Sequence, residues 1–232
     1  MKPASVGPFG ETGGVGLFFN GTDHPRLLFT RQSGQPSRPA AKAFMRAKAM
    51  EEMLILVSPQ DRPTGSAPKM QVHRQGLRHR AFSIFIFDLH GRLLLQRRAA
   101  GKYHSAGLWT NTCCGHPRPG ERTSAAARRR LREEMGLDCE LQEVTAMLYR
   151  EQVTDQLIEH EYDHILIGLG TADPQANPEE AQDWQWLTLE TLTQQLQADP
   201  QRFTVWLRRI FETFGVDTVA RWAETARCRP AT

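Results

Sequence analysis

The stretch N-T-C-C-G-H-P-R-P-G-E, residues 111–121, sets Cys113 and Cys114 side by side, His116 two places beyond the second thiol, and Glu121 six places beyond Gly115. Three chemistries use such residues: a metal knuckle, a disulfide, or a working thiol beside a metal-bound imidazole. Adjacent cysteines rarely bridge each other. The set Cys113, Cys114, Cys139 and Cys228 has no even spacing, which fits a reducing compartment. A Cys-Cys-x-His zinc knuckle needs a second Cys or His pair at finger spacing, and none follows. Other ligand types do recur. His73 and His79 precede the first long apolar run, and I-E-H-E-Y-D-H offers Glu159 and Glu161, which share a face if that segment is a strand. Three imidazoles and two carboxylates make a crowded, roughly octahedral set with room for one more ligand. Mixed N/O donors suit Zn2+, Mn2+ or Mg2+ without choosing among them. His160 and His164 are expected to face elsewhere, and His24, His90 and His104 have no matching partner in the sequence.

From Gly115 the chain runs five residues to Glu121, seven more, and then R-R-L-R-E-E-M-G-L. Carboxylates one turn apart on a helix converge on one face, where hard oxygen ligands suit Mg2+. A solvated amphipathic helix laced with ion pairs is the plainer reading of so many charges. It gives no reason for the upstream Gly-x5-Glu. That spacing resembles the Nudix box, a loop and helix that hold a divalent cation against a diphosphate. In the resembling family a glutamate needed for pyrophosphate hydrolysis stands where this chain has Arg130. A guanidinium there removes a metal ligand and adds a phosphate partner. The pattern points to diphosphate and Mg2+ but away from hydrolysis.

With the thiol, the histidines, the acid pair and the altered box together, residues 53–215 resemble the type I isopentenyl-diphosphate isomerases, Nudix-fold enzymes that interconvert isopentenyl and dimethylallyl diphosphate. W-T-N-T-C-C-G-H-P-R-P-G-E is the most specific part. The resemblance implies that Cys114 is the catalytic cysteine and Glu161 the catalytic glutamate, with Tyr149 helping to relay a proton. It implies His73, His79, His116, Glu159 and Glu161 as ligands of one Mn2+, Zn2+ or Mg2+, and Glu134 as the ligand of the Mg2+ that accompanies the substrate diphosphate. Lys69, Arg98, Lys102 and Arg130 would meet the diphosphate, and Trp186 would offer an indole face to the pocket. Two departures stand out: a His73–His79 interval one residue shorter than in some members, and Ser105 where some relatives carry Trp. The alternative function is a Nudix pyrophosphohydrolase of nucleoside diphosphate derivatives, which would need a carboxylate at position 130.

These residues must be held by elements that the pattern outlines. M-L-I-L-V, residues 53–57, is a buried strand. H-R-A-F-S-I-F-I-F-D-L-H-G-R-L-L-L-Q-R-R is a hairpin turning at Gly91. T-S-A-A-A-R-R-R-L-R-E-E-M-G is a helix with Thr123 or Ser124 as N-cap and Gly136 as its stop. E-V-T-A-M-L-Y-R-E-Q-V and Y-D-H-I-L-I-G-L-G are strands, D-W-Q-W-L-T-L another, and E-T-L-T-Q-Q-L-Q and F-T-V-W-L-R-R-I-F-E-T-F-G-V-D-T-V-A-R-W-A-E-T are helical. Interspersed strands and helices predict an α/β fold, a Nudix-like α/β/α sandwich with a mixed sheet covered by helices.

A chain of 232 residues suits one generous domain. Residues 1–49 are expected to be a disordered or non-native extension, 50–226 the isomerase-like domain and 227–232 a tail. A natural start at Met45, Met50 or Met53 is favoured over a transit peptide. The leader carries seven Lys/Arg against Glu11 and Asp23, so the folded body is slightly acidic and lacks the basic footprint of a nucleic-acid protein. No apolar run approaches the roughly 20 residues of a membrane helix. The expected partner is a small prenyl diphosphate, with no nucleic acid and no membrane, and the protein is expected to be cytoplasmic and a monomer or weak homo-oligomer.

Overall fold

The computed structural model describes residues 51–228, so the expectations for 1–49 and for the last residues of the tail lie outside the described residues. The chain order is β1 (Met53–Val57), β2 (Pro63–Pro68), α1 (Lys69–Gln75), β3 (His79–Phe87), β4 (Leu93–Arg98), β5 (Trp109–Thr110), β6 (Cys113–Gly115), α2 (Thr123–Met135), β7 (Gln142–Thr154), β8 (Leu157–Leu169), β9 (Ala181–Leu187), α3 (Leu189–Ala198) and α4 (Val205–Arg227). The nine strands form one mixed sheet. β3 lies at its centre. It runs parallel to β8 along its whole length and meets β1, β6 and β4 in turn as antiparallel neighbours.

Strand alternation divides β3 between two cores. Phe82, Ile84 and Ile86 pack with Ala126, Ala127, Leu131 and Met135 of α2. Phe85 and Phe87 pack on the other face with Trp206, Leu207 and Ile210 of α4 and Leu192 of α3. Phe82, Ile84, Phe85, Ile86 and Phe87 are all fully enclosed, so both faces of this strand are interior. The result is the expected α/β/α arrangement.

Two local expectations are corrected, and one helix has no counterpart among the expected elements. The helix α2 begins at Thr123 with Arg122 as N-cap and no side-chain cap, so neither Thr123 nor Ser124 caps it. Its entry is held instead by Glu121, which accepts from the Arg118 amide at 2.9 Å and forks onto Arg129 at 2.8 Å through both oxygens. The last helical run is broken at Gly215, whose φ of 74° and ψ of 157° split α4 into two pieces. The helix α1 was not legible as such: seven residues after Pro68 are too few to show a period, and Gly76 ends it in the left-handed region at φ 60°. At the other end of α2, Gly136 does stop the helix at φ 64°, where a Cβ would also meet the Gln175 carbonyl at 2.8 Å.

Candidate active site

Strand register assembles the acid end. His79 of β3 sits opposite Glu161 of β8, and Glu161 sits opposite Tyr149 of β7, so three strands contribute one row on the α4 face of the sheet. Glu159 lies one step along β8 on the same face. Cys114 joins from the other side of β3, opposite Ser83. The helix α1 supplies His73, and the chain leaving β6 supplies His116.

The imidazole orientations follow from backbone partners. Nδ1 of His73 lies 2.7 Å from the Lys69 carbonyl and Nδ1 of His79 2.9 Å from the Leu77 carbonyl. A carbonyl only accepts, so each Nδ1 carries the hydrogen and each Nε2 presents a lone pair inward. Ring centroids of His73, His79 and His116 stand 4.9 to 5.8 Å apart. Ligand atoms of these three histidines and Glu159 all fall within 4.8 Å of one another. Glu161 Oε1 adds contacts of 3.1 Å to His116 Nε2 and 3.4 Å to His79 Nε2.

These groups fit a divalent cation better than they fit each other. His73 Nε2, His79 Nε2 and Glu159 Oε2 are buried without a hydrogen-bond partner, although His73 Nε2 and Glu159 Oε2 are only 3.1 Å apart. They converge on a common point instead of aligning pairwise. Each unsatisfied buried polar atom costs about 1–3 kcal/mol, a cost that an ion bound at that point removes.

Electrostatics follow burial and pairing. Burial lowers the His116 pKa to about 4, which keeps this imidazole neutral and able to ligate. Burial and the neighbouring Glu159 push Glu161 upward, but its contacts with His116 and His79 win and hold it below the ordinary carboxylate range. Burial likewise opposes the charge on Glu159, and the close imidazoles of His104 and His73 overcome it and hold it below the ordinary carboxylate range. Desolvation lifts the Cys114 thiol to about 12, with Arg98 the nearest opposing influence, so the sulfur keeps its proton at neutral pH. Tyr149 is raised for the same reason, and its hydroxyl donates to Glu161 Oε2 at 2.6 Å.

A cavity of about 770 Å³ is lined by Cys114, Tyr149, Glu159 and Glu161 at one end and by Lys69, Arg98, Lys102 and Arg130 toward the other. His73 and His79 are fully buried behind this wall, while His116 lines it. Every cation of the second group already has a protein partner. Lys69 meets Glu52 at 2.8 Å, Lys102 pairs with Glu180, and Arg130 meets Glu134 at 2.5 Å and Glu180 at 3.1 Å. Arg98 stacks over Trp206 at 5.2 Å. Glu134 is buried, with Arg130 on one oxygen and Gln96 on the other at 2.7 Å. Gly115 is a point of close approach: it ends β6, where a Cβ would stand 3.1 Å from the Phe82 ring and 3.4 Å from Arg130.

Trp186 is a correction. It pairs with Leu94 in the β9–β4 register and packs into the α2-side core, against Gly170. Strand alternation therefore turns it to the face opposite Glu161 and Tyr149, and it does not line the cavity. Trp206, at the start of α4, does. Two further polar residues escaped the sequence reading. His104, left without a partner there, is buried with Nε2 3.0 Å from Glu159 Oε1. Asp163 is fully buried one more step along the Glu159–Glu161 face and accepts from Ser83 Oγ at 2.9 Å. Alternation in I-E-H-E-Y-D-H was the signal for Asp163; nothing local signalled His104. His160 and His164 do face elsewhere, toward the Gly76 carbonyl and toward Glu143 and Asp61.

Residues 77–208 match the NUDIX domain family. A crystal structure from Deinococcus radiodurans shares the fold at a TM-score of 0.54 and 22% identity, over 64% of this chain and 90% of that one. The chain is 56% identical over 177 residues to the isopentenyl-diphosphate Delta-isomerase of Serratia proteamaculans, covering 76% of this chain and 99% of that protein. It is 52% identical over 176 residues to the enzyme of the same name from Burkholderia multivorans, covering 75% and 99%. The chain belongs to the NUDIX family and, within it, to the isopentenyl-diphosphate Delta-isomerases. Among the described residues, no helix is long and apolar enough to cross a membrane.

Proposed function

We infer that this enzyme interconverts isopentenyl and dimethylallyl diphosphate, and that Cys114 and Glu161 exchange the protons. One observation carries the reading: a proton-bearing thiol and a Tyr149-bonded carboxylate, on one face of one sheet, border the same cavity.

The chemistry adds a proton at C4 and removes one from C2. The C3–C4 π electrons form the new C–H bond, and the electrons of the broken C2–H bond become the C2–C3 double bond. An unactivated alkene is a very weak base, so the barrier falls only if charge near C3 is stabilised more in the transition state than before it. Trp206 offers an indole face for that charge, worth about 2 kcal/mol when desolvated. The reaction also requires that water, which would trap a tertiary cation as an alcohol, be kept from it. Proton count is restored when the proton gained by one partner returns to the other, and the Tyr149–Glu161 hydrogen bond is a ready route on the carboxylate side. Lys69, Lys102 and Arg130 hold the diphosphate after exchanging their carboxylate partners for phosphate oxygens, with Arg98 beside them.

The NUDIX relationship implies a divalent metal, and the donor set fits one. His73, His79, His116, Glu159 and Glu161 would hold Mn2+, Zn2+ or Mg2+, which when bound fixes Glu161 and tunes its basicity. Glu134 would hold the Mg2+ that arrives with the diphosphate. We read the protein as a cytoplasmic monomer or weak homo-oligomer acting on a small prenyl diphosphate. The test is incubation of the purified protein with isopentenyl diphosphate and Mg2+ in D2O. Deuterated dimethylallyl diphosphate is expected; an unlabelled or absent allylic product overturns the reading.

A further inference from the structure

Glu159 has two oxygens in different situations. Oε2 faces His73 and His79 and has no hydrogen-bond partner. Oε1 lies 3.0 Å from His104 Nε2, with both side chains only 4% exposed. An ionised carboxylate only accepts, so Nε2 carries the hydrogen and His104 donates. Its Nδ1 then accepts, and Ser105 Oγ stands 3.2 Å away to supply the proton. Ser105 takes a left-handed backbone, φ 50°, which is uncommon for a residue with a Cβ and turns the hydroxyl back along the chain. The His104 ring is wedged edge-on between Tyr103, with centroids 4.3 Å apart, and Trp206, at 5.9 Å. Its carbonyl accepts from Arg98 Nη2 at 3.3 Å.

We propose that His104 is a positioning residue of the metal centre: by holding Glu159 Oε1 it commits Oε2 to the ion, and it thereby docks the 99–108 loop, with Lys102, onto that centre. The inference rests on reading the His/Glu cluster as a metal site. Buried polar partners of a ligand orient it and raise its basicity, and their loss typically weakens metal binding tenfold to a hundredfold, roughly. Without His104, Glu159 is free to rotate or to offer both oxygens, and the loop loses its anchor at the acid end. Because ion and loop share one contact, ion binding and diphosphate binding favour each other reciprocally.

The test measures Mn2+ affinity of the chelator-stripped full chain by electron paramagnetic resonance, apart from any turnover. His104→Phe keeps a ring between Tyr103 and Trp206 but loses the N–H; His104→Gln keeps an N–H near Oε1 but loses the ring. The expected result is about a tenfold to hundredfold weaker Mn2+ affinity in the Phe variant, with the Gln variant within about threefold of the unaltered chain. The KM for isopentenyl diphosphate at limiting Mn2+ should rise in the same order. An unchanged affinity in the Phe variant, or a Gln variant as weak as Phe, overturns the role of His104 alone. Absence of saturable Mn2+ binding by the unaltered chain overturns the metal centre itself, and this inference with it.

Discussion

The two ends of the cavity are built differently. At the acid end, His79, Glu161 and Tyr149 are neighbours through backbone register on β3, β8 and β7, and their contacts are buried. Several polar atoms there have no hydrogen-bond partner and converge on one point. At the diphosphate end, Lys69, Lys102 and Arg130 come from α1, a loop and α2, and each is already matched by Glu52, Glu180 or Glu134. On the proposed function, the acid end is preorganised for an ion and a proton transfer, and the other end is an exchangeable set of ion pairs in which arriving phosphate must outcompete carboxylates. The proposed proton-transfer groups Cys114, Glu161 and Tyr149 all sit on strands, where little displacement is tolerated, whereas Lys69, Lys102 and Arg130 sit on helices and a loop, where side chains can move.

Breaking the acid end should have the largest effect. Cys114→Ala should lower kcat by about a hundredfold to ten-thousandfold, the range of positioned acid–base groups, while diphosphate binding measured by calorimetry stays within about threefold. Near-normal turnover would remove the thiol from the mechanism. Stripping the ion with a chelator should abolish turnover and lower the thermal midpoint, since an ion that binds only the folded chain stabilises it by mass action. Differential scanning calorimetry with and without added Mn2+ reads this directly.

The contrast between the two tryptophans sharpens the comparison. Trp206→Leu should lower kcat by about thirtyfold, the rate equivalent of about 2 kcal/mol of cation stabilisation, with KM little changed. Trp186→Leu should leave kcat within about twofold and instead destabilise the α2-side core by about 1–3 kcal/mol in urea unfolding. Reversal of these two outcomes would return the indole role to Trp186. The smallest effect belongs to the diphosphate end. Glu180→Gln removes the rival anion from Lys102 and Arg130 and should lower KM by about twofold to fivefold with kcat unchanged, a direction opposite to every other variant. A raised KM would mean that Glu180 aligns the cations for phosphate instead of competing for them.

The parts legible from sequence alone share a feature: their information is local. The alternation of Glu159 and Glu161, the Gly115-x5-Glu121 spacing and the arginine at position 130 lie within single elements or adjoining loops, where period and residue type carry the meaning. The α/β/α layering was readable for the same reason, because β3 is a run of aromatic and β-branched residues and α2 a run of good helix formers ending at Gly136. Glu121 shows the limit of such reading. Its spacing is that of the box, yet here it is occupied by Arg129 and the Arg118 amide, securing the helix entry.

Tertiary structure decided what depends on register between distant segments. The sequence pointed to Trp186 as the pocket indole, but pairing of β9 with β4 turns it into the α2-side core, and the helix after Thr204 brings in Trp206 instead. His104 acquires its role from Glu159, 55 residues away, through a loop with no periodic signal. The amino-acid sequence by itself determined which functional groups this chain owns and how they alternate within each element, because those are properties of covalent order. Which groups share a cavity was decided only by strand pairing and helix docking, because a one-residue shift in register exchanges the two faces of a sheet.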